Sequence, residues 1–181
     1  MTHEFNHHRE GSVGNPHDGT PLGVTEHSLS AVLEPSRYGI SVGELRLLVP
    51  QGVMSEVAER RPVYPIPHTA AWFEGVCNNR GDVVPAFNLH RLLGLDGDGH
   101  GTDPDLLLIV GEREFAVAIR IHDYPRSMRG GQPCAASSSP PAQIVDYIGQ
   151  SYSFSDQSVW SDFRYRDLFM ALRKRLAIHA A

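Results

Sequence analysis

Cysteine is scarce: the 181 residues hold two, Cys77 and Cys134, with no CxxC spacing. That gives no support to a disulfide framework or a clustered zinc site and points to a reduced compartment. Long apolar runs are missing too. No stretch approaches the roughly 20 apolar residues that span a bilayer, and the start MTHEFNHHREGSVGNPHDG lacks the apolar run of a secretory signal. The expectation is a cytoplasmic chain without direct membrane insertion. Cations are not in excess, with 16 Lys and Arg against 21 acids, and aromatics make up only 8%. A nucleic-acid partner is therefore not indicated, since the chain offers neither a cationic face for phosphates nor a stacking platform for bases. GxxxxGK[ST], HExxH and GxSxG are all absent, and with them the local signatures of nucleotide, zinc-protease and serine-hydrolase chemistry.

What is present divides into two parts. Residues 1–36 are rich in Gly, Pro, Ser and His and carry five acids, Glu4, Glu10, Asp18, Glu26 and Glu34, against Arg9 alone. Their few bulky apolar groups cannot offset the entropy of ordering, so a disordered tail is expected there. Residues 37–181 are close to charge-neutral and long enough for one core. Five of the ten histidines lie in the tail (His3, His7, His8, His17, His27). His3 with His7 or His8 has a helical metal spacing, but Gly11, Gly14 and Pro16 deny that segment a stable helix.

From Arg37 onward, apolar runs of four to eight residues recur between turn residues, the pattern of short strands. Strands are expected over 43–49, 53–58, 75–79, 83–89, 105–110, 115–121, 144–149 and 158–163. The 105–121 stretch reads as a hairpin. Pro62, Pro65 and Pro67 suit an extended edge or connection, and Pro85 argues for an edge or a bulge. About one helical turn is expected over 68–73, a short amphipathic piece over 90–95, an exposed loop over DGDGHGTDP, and a long loop over 125–143. Tyr165, Leu168, Phe169, Leu172 and Leu176 fall on one face of a helix over 164–178. Asp162 near its start and Arg173, Lys174 and Arg175 near its end complement the helix dipole. Many short strands and one closing helix point to small β-barrels.

Chemistry-bearing candidates are weak. GDGHG runs into Thr102-Asp103-Pro104 and not into a helix whose amides could cradle a phosphate. His122-Asp123 are neighbours on an extended chain and point to opposite faces. Cys77 with His68 or His90 could be a thiol and base, but Cys77 lies in an apolar strand, where a buried inert thiol is commoner. An alternative function, a small metal-binding protein or metal-dependent enzyme, needs the tail histidines to converge with His68, His90 or His122.

The stretch from Gly75 to Leu89, GVCNNRGDVVPAFNL, resembles the signature of CheW-like domains: a GV-apolar-N-x-RG strand and turn, then a VP-x-x-D-L strand and a short apolar segment, here Leu92 to Leu95. Glu56-Val57 and Ile66-Pro67 upstream, and the LLLIV and FAVAIRI strands, Tyr147-Ile148-Gly149 and Asp167-Leu168 downstream, extend the resemblance over about residues 40–176. It implies a mostly β fold of two intertwined SH3-like five-stranded barrels sharing an apolar seam, with no catalysis, no cofactor and no metal. It further implies an adaptor that joins a chemoreceptor's cytoplasmic tip to the regulatory domain of a CheA-like histidine kinase. By match of position, Met54, Glu56, Asn78, Arg80 and Gly81 would lie at the receptor-facing groove, with Glu56 and Arg80 as an ion pair. Such a pair contributes roughly 0–1 kcal/mol if exposed. Breaking it costs about 3–5 kcal/mol if buried. A brace between strands and a binding determinant both stay open. Gly81 supplies backbone freedom to the turn. Asn79 stands where the family has an apolar residue, Asn88 where it has an acid, and His122 where an acid is common. These departures fit a divergent branch, such as the adaptors of type IV pilus (twitching) motility or of other outputs.

Overall fold

The computed structural model describes residues 36–95 and 106–179, with the side chains of Met54, Ser55 and 177–179 left aside. The expected tail (all but Ser36) and the DGDGHGTDP loop lie outside the described residues, as do the tail histidines. Among the described residues twelve strands form two sheets. The first has the order β10-β11-β12-β2-β1-β9, from β1 (Arg37–Val42), β2 (Leu45–Pro50), β9 (Arg126–Met128), β10 (Gln132–Cys134), β11 (Ile148–Ser153) and β12 (Val159–Phe163). The second has the order β3-β7-β8-β6-β5-β4, from β3 (Met54–Glu59), β4 (Val63–Tyr64), β5 (Phe73–Asn79), β6 (Asp82–Asn88), β7 (Leu106–Val110) and β8 (Val117–Ile121). Strands β3 to β8 are thus a chain-continuous unit inserted between two parts of the first sheet, which is the sense in which the halves are intertwined.

Each sheet curls on itself, and the chain shows why. β3 and β4 stand at opposite ends of the second sheet, yet only residues 60–62 separate them. β9 and β10 do the same in the first sheet, joined by residues 129–131. Four residue steps reach at most about 14 Å, so the two free edges of each sheet are drawn together and the sheet closes towards a small barrel. Each sheet holds six strands where five were expected, the additions being short.

The unbroken apolar run of β7, and that of β8 apart from the half-buried Arg120, follow from burial on both faces. Leu106, Leu108 and Val110, with Val117, Ile119 and Ile121, enter a large core shared with Ile40, Val42, Leu47 and Val49 of the first sheet. The alternate residues Leu107, Ile109, Ala116 and Ala118 join Cys77, Val84 and Ala86 in a smaller core. The small side chains gather in that second cluster, as a tight barrel interior requires. The shared core is sealed by helix α1 (Leu89–Leu93) and by helix α2 (Tyr165–His179), whose Tyr165, Leu168, Phe169 and Leu172 are buried. Phe169 meets Phe87 of β6 with ring centroids 4.8 Å apart.

Several local expectations are corrected. Residues 68–73 make no helix: His68 is left-handed (φ +61) and a single bond from the Phe73 N–H to the Ala70 carbonyl turns the chain into β5. β6 is not an edge strand. Pro85 fits because pairing with β8 begins only at Ala86, while the bulge falls in partner β5 between Phe73 and Gly75. The segment 125–143 holds β9 and β10, recruited by the free sides of β1 and β11. β11 starts at Ile148, after a 3-10 turn over Val145–Tyr147. Asp162 belongs to β12 and pairs with Arg37 at 3.2 Å, leaving Asp167 as the acid in the first turn of α2. At the basic end of α2, Arg173 donates to the Glu114 carbonyl (2.6 Å) and Arg175 lies 5.5 Å over the Trp72 ring, contacts beyond the dipole.

Candidate functional site

The site is built on the tightest turn of the second sheet and on its closing corner. β5 ends at Asn79 and β6 begins at Asp82, so Arg80-Gly81 is a two-residue hairpin loop. Both have positive φ, +55 and +96, as the commonest right-twisted hairpin turn demands. A Cβ at Gly81 would meet nothing within 4 Å, so backbone conformation alone calls for glycine there. Arg80 adopts the same region at a cost of about 1 kcal/mol. The turn is tied by the Gly81 N–H donating to Asn78 Oδ1 at 3.2 Å.

Glu56 reaches this turn from β3, beside a register shift between Met54 and Glu56. Its two oxygens are divided between two arginines. Oε2 accepts from Arg80 Nη2 at 3.0 Å and from Nε at 3.2 Å, so the expected pair forms. Oε1 accepts from Arg61 Nη2 at 2.5 Å. Arg61 is the residue that the sequence did not disclose. It sits in the 60–62 corner, and its Nη1 donates to Asn79 Oδ1 (2.6 Å) and to the Asn78 carbonyl (3.1 Å). One guanidinium therefore joins β3 to β5 across the seam where the barrel has no ladder. Exposure separates the partners: the side chains of Glu56 and Arg61 are 20% and 24% exposed, and that of Arg80 is 77%. The inner pair is the brace, whereas the outer contact is screened by water and contributes roughly 0–1 kcal/mol. Of Met54 only the backbone, opposite Val110, is described.

The other departures also have partners. Asn88 is buried and caps α1, its Oδ1 accepting from the Arg91 N–H at 3.1 Å. Its Nδ2 donates to Glu74 Oε1 at 2.9 Å, and Arg120 binds Glu74 Oε2 through Nη2 (2.7 Å) and Nε (2.9 Å). An acid at position 88 would face the Glu74 carboxylate. The His122 ring stands edge-on to His90, with centroids 4.1 Å apart, and His90 Nε2 accepts the Gly43 N–H at 3.2 Å. The structure thus brings His90 and His122 together, but among the described residues no three His, Cys, Asp or Glu side chains converge as metal ligands. Cys77 is buried in the smaller core, and burial pushes its thiol pKa up against the opposing pull of Arg61 and Arg120. A cavity of about 650 Å³ lies over β2 and β12 and is lined by groups such as Arg46, Arg126, Ser137 and Trp160. Neither Cys77 nor any histidine lines it.

A family model described as the CheW-like domain matches residues 38–132, just over half of the chain. Protein FrzA of Myxococcus xanthus is 34% identical over 70 residues, 38% of this chain and 44% of FrzA, so the match spans less than half of that relative. The crystal structure of the scaffolding protein TtCheW from Thermoanaerobacter tengcongensis is similar with a TM-score of 0.60 at 16% identity, covering 76% of this chain and 93% of that one. At that identity the likeness speaks for the fold. The stretch matched by the family model contains the whole second sheet, its Arg80-Gly81 turn and the seam clasped at Glu56, and the chain belongs to the family of CheW-like domains.

Proposed function

We propose that this chain is a non-catalytic cytoplasmic adaptor that couples the tip of a chemoreceptor to the regulatory domain of a CheA-like histidine kinase. The observation that carries the reading is the presentation of Arg80. A cation 77% exposed is held on a hairpin turn whose backbone it strains, with its counter-charge Glu56 braced behind it. Strain of this kind is retained where the rest of the structure fixes it, often at a contact surface. The receptor-facing surface would then consist of Met54, Glu56, Asn78, Arg80 and Gly81. Weak individual contacts suffice in an array, because linked interfaces multiply their strengths. Chemotaxis or pilus motility as the output belongs to this reading through family resemblance. It draws nothing from Asn79, Asn88 and His122, whose partners lie within the chain. Among the described residues no helix is long and apolar enough to cross a membrane, so attachment to one would come through the receptor.

The test is reconstitution with the kinase and the receptor signalling fragment of the same organism. Co-elution and raised kinase autophosphorylation are expected, with Arg80→Glu lowering receptor affinity at least tenfold while melting within a few degrees of wild type. Folded components that neither associate nor stimulate the kinase would refute the adaptor. A melting temperature that falls in parallel with binding would return Arg80 to a structural role.

A further inference from the structure

Glu56 is shared unequally, and that inequality has a functional use. Its contact with Arg61 is half-buried and reinforced by two further bonds from the same guanidinium to Asn79 Oδ1 and the Asn78 carbonyl. Its contact with Arg80 lies at the surface, and among the described residues Arg80 makes no other hydrogen bond or ion pair. If Arg80 were the sole counter-ion of Glu56, pulling it away would strand a carboxylate that is only 20% exposed, a costly step. With Arg61 in place the carboxylate stays neutralised whichever way Arg80 points. Asn79 completes the arrangement, since an apolar residue there would remove the shorter of the two bonds made by Arg61 Nη1 and leave it only the Asn78 carbonyl at 3.1 Å.

We infer that Arg61 is a positioning residue that frees Arg80 for the partner: it holds Glu56 and Asn79 permanently, so that Arg80 exchanges Glu56 for a carboxylate on the receptor tip while the barrel seam stays closed. This rests on the adaptor reading. It assigns the specificity for an acidic partner to Arg80 and the ease of the exchange to a residue that does not itself contact the partner.

The experiment measures receptor-fragment affinity by calorimetry, and melting temperature, for wild type, Arg61→Lys, Arg61→Gln and Arg61→Gln/Glu56→Gln. In Arg61→Gln the lone Glu56 captures Arg80, and affinity falls about tenfold. Arg61→Lys keeps the charge on Glu56 and stays within about threefold of wild type. The double variant removes the captor and binds several-fold more tightly than Arg61→Gln, although its seam is the weakest of the four. A brace with no other role predicts the opposite order: a double variant binding no better than Arg61→Gln overturns the inference. NMR of the arginine Nε–H groups in the wild-type protein provides an arm that needs neither partner nor a folded Gln variant. Arg61 should be rigid on the nanosecond timescale and Arg80 mobile; equal rigidity also overturns it. If wild type fails to bind the receptor fragment at all, the adaptor reading falls, and the NMR comparison still decides whether Arg80 is free of Glu56.

Discussion

Replacing Asn88 by aspartate, the kind of residue its family position usually holds, should destabilise this chain. The amide of Asn88 does two jobs: Oδ1 caps α1, and Nδ2 donates to Glu74 Oε1 at 2.9 Å. Asn88→Asp keeps the cap, because a carboxylate serves there as well. It removes a hydrogen bond to a charged group, a loss of about 1.5–3 kcal/mol. It also sets two carboxylates face to face, where unit charges about 4 Å apart interact by roughly 4 kcal/mol at an effective dielectric of 20. Arg120, 2.7 Å from the far oxygen of Glu74, cancels much of that repulsion. The sum is a loss of about 2–4 kcal/mol at pH 7, or a melting temperature lower by roughly 5–15 °C in a chain of this size. The pH dependence carries the signature. The new carboxyl would be held above its unfolded value of about 3.9 by Glu74. A raised folded value means that the deficit is absent below about pH 4 and grows as pH rises through the folded pKa. Thermal melts of wild type, Asn88→Asp and Asn88→Ser between pH 4 and 8 check this, with Glu74→Gln/Asn88→Asp as the rescue. A deficit that is flat with pH, or no deficit at pH 7, refutes the reasoning.

Gly39→Ala should cost about 1–3 kcal/mol by overpacking, because its Cβ would stand 2.5 Å from a ring carbon of Trp160. That indole is anchored by its Nε1 donating to Ser158 Oγ at 2.8 Å and cannot swing aside cheaply, so chemical denaturation should show a lower midpoint that Trp160→Phe partly restores. A thiol reagent should label half-buried Cys134 in the native protein and Cys77 only on unfolding. Burial holds the Cys77 thiol and the Tyr165 phenol above their ordinary values. Raised folded pKa values mean stability that is intact below the unfolded values and lost as pH climbs past about 9. Cys77→Val should make that alkaline loss shallower in a melt series.

The elements legible in the sequence were those whose signal is local. β7 and, Arg120 apart, β8 announce themselves as apolar runs because both of their faces are buried, and the i, i+3, i+4 pattern from Tyr165 to Leu176 can satisfy only a helix with one buried face. β1 escaped because RYGISV carries a glycine in mid-strand, where the ordinary reading is a break. The structural reason for Gly39 is a tryptophan more than a hundred residues away. β9 and β10 are three residues each, and their composition is that of a turn. They are strands because β1 and β11 leave ladder positions open beside them, a tertiary effect that no window of sequence contains.

The site divides along the same line, and the division shows how to read such departures. Arg80, Gly81 and Asn78 are contiguous and their turn chemistry is visible as a string, whereas Arg61 lies in a corner that reads only as Arg-Pro connection. Yet a sign of Arg61 was present. A polar side chain in the apolar slot of a half-buried strand must find a partner or lose stability, so Asn79 called for a donor that the string did not contain, and Arg61 supplies it. Asn88 called in the same way for an acceptor, met by Glu74, and His122 for a neighbour, met by His90. Where the compensating residue lies inside the chain, the departure concerns packing and carries no information about an external partner. Arg80 is the residue of the site for which the account does not close: its charge is 77% exposed, its backbone is strained, and its one internal acceptor is already held by another arginine. On the proposed adaptor reading, that surplus, and not the departures themselves, is what the fold leaves over for recognition.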